Sequence, residues 1–124
     1  MKTIQTENAP AAVGPYSQAV RTGDLLFCSG QVPIDPKTGE MIRSSITDQT
    51  HQVMKNLSAV LEAADLGLGN LVKVSIFLKN MDDFASVNEV YASYLEKPYP
   101  ARATVQVSRL PLDADVEIEA IAEF

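Results

Sequence analysis

Two segments near the end of the chain alternate apolar and polar residues in the manner of half-buried β-strands. In residues 101–110 the odd-numbered positions up to Val107 are apolar, whereas in residues 115–124 the even-numbered positions are apolar. Such strands belong to a sheet with one face on a core and the other face open. We expect the open face to carry the polar side chains of both segments and one isoleucine: Arg102, Thr104, Gln106, Glu117, Glu119 and Ile121.

Apolar residues at spacings of three and four predict two amphipathic helices. The first covers residues 47–65, with Thr47 or Ser45 as its N-cap and glycines after its end. The second opens at Asn80, carries two aspartates in its first turn, and ends before Pro98. Both helices therefore have one apolar side to place against the sheet.

Shorter patterns predict the remaining strands. Residues 18–21 and 25–29 are rich in apolar and β-branched residues, and a further strand is expected around Ile4. Apolar and polar residues alternate over residues 71–78. This pattern predicts a strand with Val72, Val74, Ile76 and Leu78 on one apolar face. The proline-rich and glycine-containing residues 33–39 predict a turn that closes a hairpin-like excursion.

Two helices among about six strands predict an α+β sandwich, with a mixed sheet and both helices packed on one of its faces. The 124 residues, of which 46% are hydrophobic, fit one domain spanning residues 1–124 and leave no room for a second. The open sheet face must meet water or another subunit. Because its expected surface is partly apolar, we predict an oligomer.

Charge and cysteine content exclude several classes of protein. The net charge of −6 and the isoelectric point near 4.6 oppose binding to nucleic acid phosphates or anionic membranes. No stretch is apolar over the length of a membrane span. The single cysteine, Cys28, cannot form an internal disulfide. We therefore expect a cytoplasmic protein without nucleic acid or membrane partners.

The residues that usually supply nucleophiles and metal ligands are few. Cys28 lies in an apolar strand pattern, which favours a buried small side chain over a nucleophile. His51, the only histidine, is expected to face solvent on the first helix. The glycines form no phosphate-binding motif. We therefore predict no metal site and no cofactor, and assign acid–base chemistry to carboxylates, tyrosine or backbone groups.

The position of Arg102 in its strand is compatible with two roles. Its planar guanidinium can hold a carboxylate ligand through two parallel hydrogen bonds. Alternatively, it can form an intersubunit ion pair with Glu117 or Glu119. The pattern favours neither.

Five strings, taken together and in order over nearly the whole chain, resemble the Rid (YjgF) family of reactive-intermediate deaminases, and most closely its RidA imine deaminase subgroup. They are Gly14-Pro15-Tyr16-Ser17-Gln18-Ala19, Phe27-Cys28-Ser29-Gly30-Gln31-Val32-Pro33, Val87-Asn88-Glu89-Val90-Tyr91, Pro100-Ala101-Arg102, and Leu110-Pro111 followed by Val116-Glu117-Ile118-Glu119-Ala120-Ile121-Ala122. The resemblance implies a chorismate-mutase-like α+β fold and a homotrimer with three clefts between subunits.

The resemblance also implies roles for individual residues. Arg102 matches the arginine that clamps the substrate carboxylate, and Glu117 matches the glutamate associated with the attacking water. Tyr16 matches a second catalytic position in the cleft. Ser29 and Gly30 match a pocket-lining pair.

Two further positions qualify the match. Asn88 corresponds to a helix asparagine with a structural hydrogen-bonding role. Thr104 falls at a substrate-binding position where many RidA proteins carry cysteine, which argues against thiol catalysis and leaves the substrate range open.

The implied reaction is hydrolysis of small 2-imino acids or their enamine tautomers, such as 2-aminoacrylate, to 2-oxo acids and ammonia without a cofactor. A trimeric protein that binds or senses 2-oxo acids without turnover is the alternative. Ribonuclease or translation-inhibitory activity, also found in the wider family, is disfavoured because the acidic chain offers RNA no electrostatic footprint.

Overall fold

The computed structural model describes all residues, 1–124, as one mixed sheet covered by two helices. The helices are α1 (Ile46–Ala63) and α2 (Phe84–Ser93). The strands are β1 (Lys2–Ile4), β2 (Ala19–Thr22), β3 (Leu25–Gln31), β4 (Leu71–Leu78), β5 (Ala101–Gln106) and β6 (Val116–Glu123). This arrangement confirms the predicted α+β class with six strands and two helices.

The sheet has the strand order β1-β2-β3-β6-β4-β5. Neighbouring strands are antiparallel except β4 and β5, which are parallel and are joined by the crossover helix α2. The sixth strand of the chain therefore lies in the centre of the sheet, between β3 and β4. Neither α-helix has the length and hydropathy needed to cross a lipid bilayer.

The core lies between the helices and one face of the sheet. Residues of α1 such as Leu57 and Leu61 are fully buried against alternate residues of the central strands, among them Val74 and Ile118. Ser45 is the N-cap of α1, because the backbone N–H of Asp48 donates to its Oγ at 3.0 Å. The opposite sheet face is left without any covering element.

One expectation about the strands was wrong. Arg102 of β5 is in register with Val74 of β4, whose side chain is buried under the helices. Even-numbered residues of β5 therefore project to the helix face, and the odd-numbered Ala103 and Val105 lie on the open face. Glu117 lies in register with Phe77 and Val105, on the open face.

The reason for this error is that alternation defines two strand faces without stating which one is covered. β5 is an edge strand, and its helix face ends in polar residues that extend past the core. The predicted open face keeps Glu117, Glu119 and Ile121, but loses its three β5 members, Arg102, Thr104 and Gln106, to the other side.

Two smaller expectations also need correction. Val72 is only partly buried, because an irregularity between Leu71 and Lys73 shifts the register of β4 against β6. His51 does not simply face solvent: its Nδ1 lies 2.8 Å from the hydroxyl oxygen of Tyr94, so this residue links α1 to the segment after α2.

Candidate functional site

Four of the six predicted site residues line one cavity of about 630 Å³ on the protein surface. Tyr16 comes from the loop before β2, Ser29 and Gly30 from β3, and Glu117 from β6. These residues are far apart in sequence, and the pairing of β3 with β6 brings them together. The size lies within the range of about 300–1,000 Å³ typical of small-molecule sites.

Gly30 allows the close approach of Glu117. A Cβ atom at position 30 would lie 2.9 Å from Cδ of Glu117 and 3.1 Å from its Oε2. Gly30 also lies where the register of β3 against β6 shifts, between Cys28 and Gln31. The absence of a side chain here is therefore what lets the carboxyl group lie against the backbone of β3.

The environment of Glu117 favours proton uptake. Burial raises the pKa of its carboxyl group above the ordinary value, and the like charge of Glu119 on the same face raises it further. A half-buried carboxylate with increased proton affinity beside a cavity is suited to accept a proton from water.

Ser29 fixes the loop that carries Tyr16. Its hydroxyl donates to the backbone carbonyl of Ser17 at 2.6 Å, and its backbone N–H donates to the carbonyl of Gln18 at 3.0 Å. The hydroxyl proton of Ser29 is thus used in this hydrogen bond, and its oxygen can only accept a hydrogen bond from a ligand. Tyr16 is exposed to the cavity, with its hydroxyl free to meet a ligand.

The buried amide of Gln18 holds the neighbouring wall of the cavity. Its Oε1 accepts from the N–H of Thr6 at 2.7 Å, and its Nε2 donates to the carbonyls of Thr6 and Pro10 at 3.0 and 2.8 Å. No role was predicted for Gln18 from the sequence. A polar residue directly before an apolar strand was the available signal, since a buried amide needs partners.

Arg102 lies apart from this cavity, on the helix face of β5. Its Nη1 donates to Oδ1 of Asn88 at 2.7 Å, and its guanidinium carbon lies 5.1 Å from the ring centroid of Tyr91 and 5.7 Å from that of Phe84. Asn88 thus makes a hydrogen bond of the kind expected of it. A second cavity, of about 410 Å³, opens here.

The guanidinium of Arg102 has no carboxylate partner within the chain. The only salt bridge joins Arg109 to Asp113. The intrachain form of an ion pair with Glu117 is excluded by geometry, because the two Cα atoms are separated by two strand spacings and three residues, roughly 14 Å, with side chains on opposite faces.

Thr104 is on the same face as Arg102 and does not line the Glu117 cavity. Its hydroxyl oxygen is buried and has no hydrogen-bond partner, and the same is true of the hydroxyl of Tyr91. Buried hydroxyl oxygens without a partner are uncommon in a folded chain. Tyr91 lines the cavity at Arg102, whereas Thr104 lines neither cavity.

Cys28 and His51 lie outside both cavities. The thiol of Cys28 is buried on the helix face of β3, and burial raises its pKa to about 12, which keeps it protonated and unreactive. His51 contacts Tyr94 on the far side of the helical layer. Neither residue is placed to act on a ligand beside Glu117.

The comparison with known families agrees with this arrangement. A family model described as Endoribonuclease L-PSP matches residues 6–124. The chain belongs to this family, the Rid (YjgF) family. A RutC family protein of Pyrococcus horikoshii is 56% identical over 98% of this chain and 96% of its own length.

Other Rid relatives carry more informative names. The 2-iminobutanoate/2-iminopropanoate deaminase of Escherichia coli K12 is 48% identical over 98% of this chain and 96% of its own length. Among solved structures, RidA from an Antarctic Psychrobacter superposes with a TM-score of 0.96 at 47% identity, with both chains covered completely. TdcF of E. coli, solved with bound serine, has a TM-score of 0.95 at 42% identity and covers 100% of this chain and 99% of its own.

Proposed function

We propose that this Rid protein hydrolyses small reactive 2-imino acids, and the enamines that tautomerise to them, to 2-oxo acids and ammonia. The observation that carries the proposal is Glu117, a carboxyl group with raised pKa held against Gly30 at the wall of a cavity. The guanidinium of Arg102, which has no carboxylate partner within the chain, supplies the complementary group for the substrate carboxylate. Relatives 48% identical to this chain are named 2-iminobutanoate/2-iminopropanoate deaminase.

The chemistry requires a positioned water and one proton acceptor. The carbon of a protonated imine is electrophilic, so water attacks it while Glu117 accepts a proton from that water. The carboxyl group of Glu117 returns this proton to the nitrogen of the carbinolamine. The C–N bond then breaks and ammonia leaves as the C=O bond of the 2-oxo acid forms, and the carboxylate of Glu117 takes the proton that the hydroxyl group loses. Tyr16 and the lone pairs of Ser29 are available to orient the water or the leaving nitrogen.

The site is completed by a second subunit. Arg102 and Glu117 lie on opposite faces of one sheet, so one protomer cannot direct both groups at the same small molecule. A homotrimer with a cleft at each of its three interfaces allows one subunit to supply Glu117 and its neighbour Arg102.

The uncovered sheet face supports this assembly. It presents Phe27, which is 42% exposed and in register with Ile121, and Val105, which is 46% exposed and in register with Phe77. Large apolar side chains grouped on one open face are typical of a subunit interface. The acidic charge of the chain and the two glutamates of the cavity oppose nucleic acid or an anionic membrane as partner.

The reaction needs neither metal nor cofactor, because a protonated imine is activated for attack by water without a Lewis acid. The side chains of Cys28 and His51, the strongest ligand types in the chain, are directed away from the cavity. Prolonged EDTA treatment should leave the rate of ammonia release unchanged. Loss of turnover restored only by a divalent metal would contradict this.

The expected location of the protein is the cytoplasm. Its one cysteine is a buried free thiol, which fits a reducing compartment.

The decisive assay measures release of ammonia and 2-oxo acid from freshly generated 2-aminoacrylate, compared with the spontaneous rate. Acceleration that is lost in Glu117→Gln establishes the enzyme. Saturable binding of a 2-oxo acid without any acceleration would instead establish the binding or sensing alternative.

A further inference from the structure

Two exposed apolar side chains stand at the cavity beside Glu117. Leu112, in the loop between β5 and β6, is 62% exposed, and Val13, in the loop before β2, is 89% exposed. We call these two side chains the apolar lip. They come from separate loops and line the same cavity. Single exposed apolar side chains scattered over a surface are ordinary. Two that line the same cavity are a feature of binding sites.

The backbone at the lip is held in a disfavoured conformation. Leu112 has φ 56° and ψ 23°, and Asp113 has φ 55°, in the left-handed region that a leucine rarely occupies. Strained residues of this kind persist where the surrounding structure fixes them, and they concentrate at functional sites.

Two arginines contact the residues in this conformation. Nη2 of Arg43 donates to the carbonyl of Leu112 at 3.0 Å, and Arg109 binds both carboxylate oxygens of Asp113 at 2.6 and 3.2 Å. These contacts involve the two consecutive residues with positive φ, one through its backbone carbonyl and the other through its side chain.

The substituents of a 2-imino acid can be assigned to this geometry. The reacting carbon carries a carboxylate, the imine nitrogen and an alkyl side chain. Glu117 and Glu119 repel the carboxylate, which requires a cation, and the attacked carbon must face Glu117. The alkyl group is the only substituent that gains by contact with Leu112 and Val13.

The gain from this contact grows with the side chain. A branched or extended alkyl group buries more apolar surface against Leu112 and Val13 than a methyl group does. We propose that the apolar lip is the subsite for the substrate side chain, and that it directs this protein toward 2-imino acids with branched or extended alkyl groups. This inference rests on the proposed deaminase function.

The test compares two substrates in the same enzyme. 2-Imino-4-methylpentanoate and 2-iminopropanoate are generated in situ by an L-amino acid oxidase from leucine and alanine, and the ratio of their kcat/KM values is measured. Leu112→Asn keeps a side chain of similar size that tolerates the left-handed backbone but is polar. The ratio should fall about 10-fold, as expected for loss of an apolar side-chain contact.

Two further variants separate a subsite from a structural effect. Leu112→Gly relieves the backbone strain and removes the side chain, so the ratio should fall in a protein that unfolds no more easily than the wild type. Met81→Asn removes an exposed apolar side chain that does not line the cavity, and should leave the ratio unchanged. An unchanged ratio in both Leu112 variants would overturn the proposal.

A second measurement distinguishes an error in the proposed deaminase function from an error in the proposed side-chain subsite. If the wild type releases no ammonia from either substrate, calorimetric titration with 4-methyl-2-oxopentanoate and 2-oxopropanoate tests the lip without turnover. A preference for the branched acid that Leu112→Asn reduces supports the subsite. Equal affinities in the wild type and the variant would overturn it.

Discussion

The carboxyl group of Glu117 is tuned by burial and by the charge of Glu119 two residues later. Both effects disfavour the ionised form, so the group holds its proton to a higher pH than an exposed glutamate. A general base must be deprotonated before it can act. The rate should therefore rise with pH as Glu117 loses its proton, along a limb centred above the ordinary glutamate pKa.

Two glutamine variants test this tuning. Glu117→Gln cannot accept a proton and should lower kcat ~100-fold or more and abolish the acid limb. Glu119→Gln removes the like charge, which lowers the pKa of Glu117, so the limb should move to lower pH while the plateau persists. Full turnover in Glu117→Gln would show that the carboxylate only orders the site. If the acid limb of the pH–rate profile stays at the same pH in Glu119→Gln, the charge of Glu119 does not raise the pKa of Glu117.

Arg102 is tested by variants that separate binding from chemistry. Arg102→Lys keeps the charge but loses the two-pronged donor, so kcat/KM should fall by roughly one to two decades, mainly through KM, for a lost charge-assisted hydrogen bond of about 1.5–3 kcal/mol. Asn88→Ala leaves the guanidinium intact but removes its 2.7 Å partner, and should raise KM less. If Arg102→Lys instead dissociates the oligomer, the intersubunit ion-pair reading of Arg102 is correct.

At the scale of elements, local sequence patterns predicted where the first helix lies, but they did not predict how distant strands pair. The spacing that predicted a helix over residues 47–65 is confirmed by α1 at Ile46–Ala63, because helix periodicity is a property of consecutive residues. The face of β5 was assigned wrongly, since its side is fixed by pairing with β4, a strand about 30 positions earlier in the chain. Alternation alone carries no information about that pairing.

The same distinction explains the site. The motif strings identified Tyr16, Ser29, Gly30 and Glu117, and the structure brings them to one cavity. Patterning by itself gave no reason to place Gly30 against Glu117, because their contact depends on the register shift of β3 against β6. The lining by Leu112 was also not predicted, since its loop follows no periodic pattern.

β3 offers a test of packing against chemistry at Cys28. The thiol lies on the helix face, where Cys28→Ser would bury a hydroxyl at a cost on the order of 1–3 kcal/mol if it finds no partner. Urea unfolding should show this loss, while kcat should remain near that of the wild type. A folded Cys28→Ser protein without activity would contradict the placement of the thiol.

The pH dependence of stability gives an independent check on Cys28. Burial raises the pKa of its thiol to about 12, from 9.0 for an unperturbed cysteine. The unfolded chain therefore ionises while the folded chain keeps its proton, and the stabilising contribution of this group is complete below pH 9 and is lost as the pH rises toward 12. Cys28→Ala should be less sensitive to pH in that window.

At the scale of the whole molecule, the two groups of the proposed site lie on opposite faces of one sheet. The Glu117 half lies on the open face, and the Arg102 half lies beside α2 on the helix face at the edge strand. In a head-to-tail interface the Glu117 face of one subunit meets the Arg102 edge of the next, and such contacts close into a ring. For the proposed trimer, light scattering should show one species at three times 13.4 kDa.

Mixing two inactive variants tests this assembly directly. Arg102→Ala retains an intact Glu117 half-site, and Glu117→Gln retains an intact Arg102 half-site. When equal amounts are unfolded together and refolded as mixed trimers, each cleft draws its two halves from adjacent subunits, and roughly one cleft in four receives both functional residues. Ammonia release should recover to about a quarter of the wild-type rate, whereas mixing without unfolding should recover much less. If both residues acted from the same subunit, no mixed trimer would contain a complete site and refolding would restore nothing.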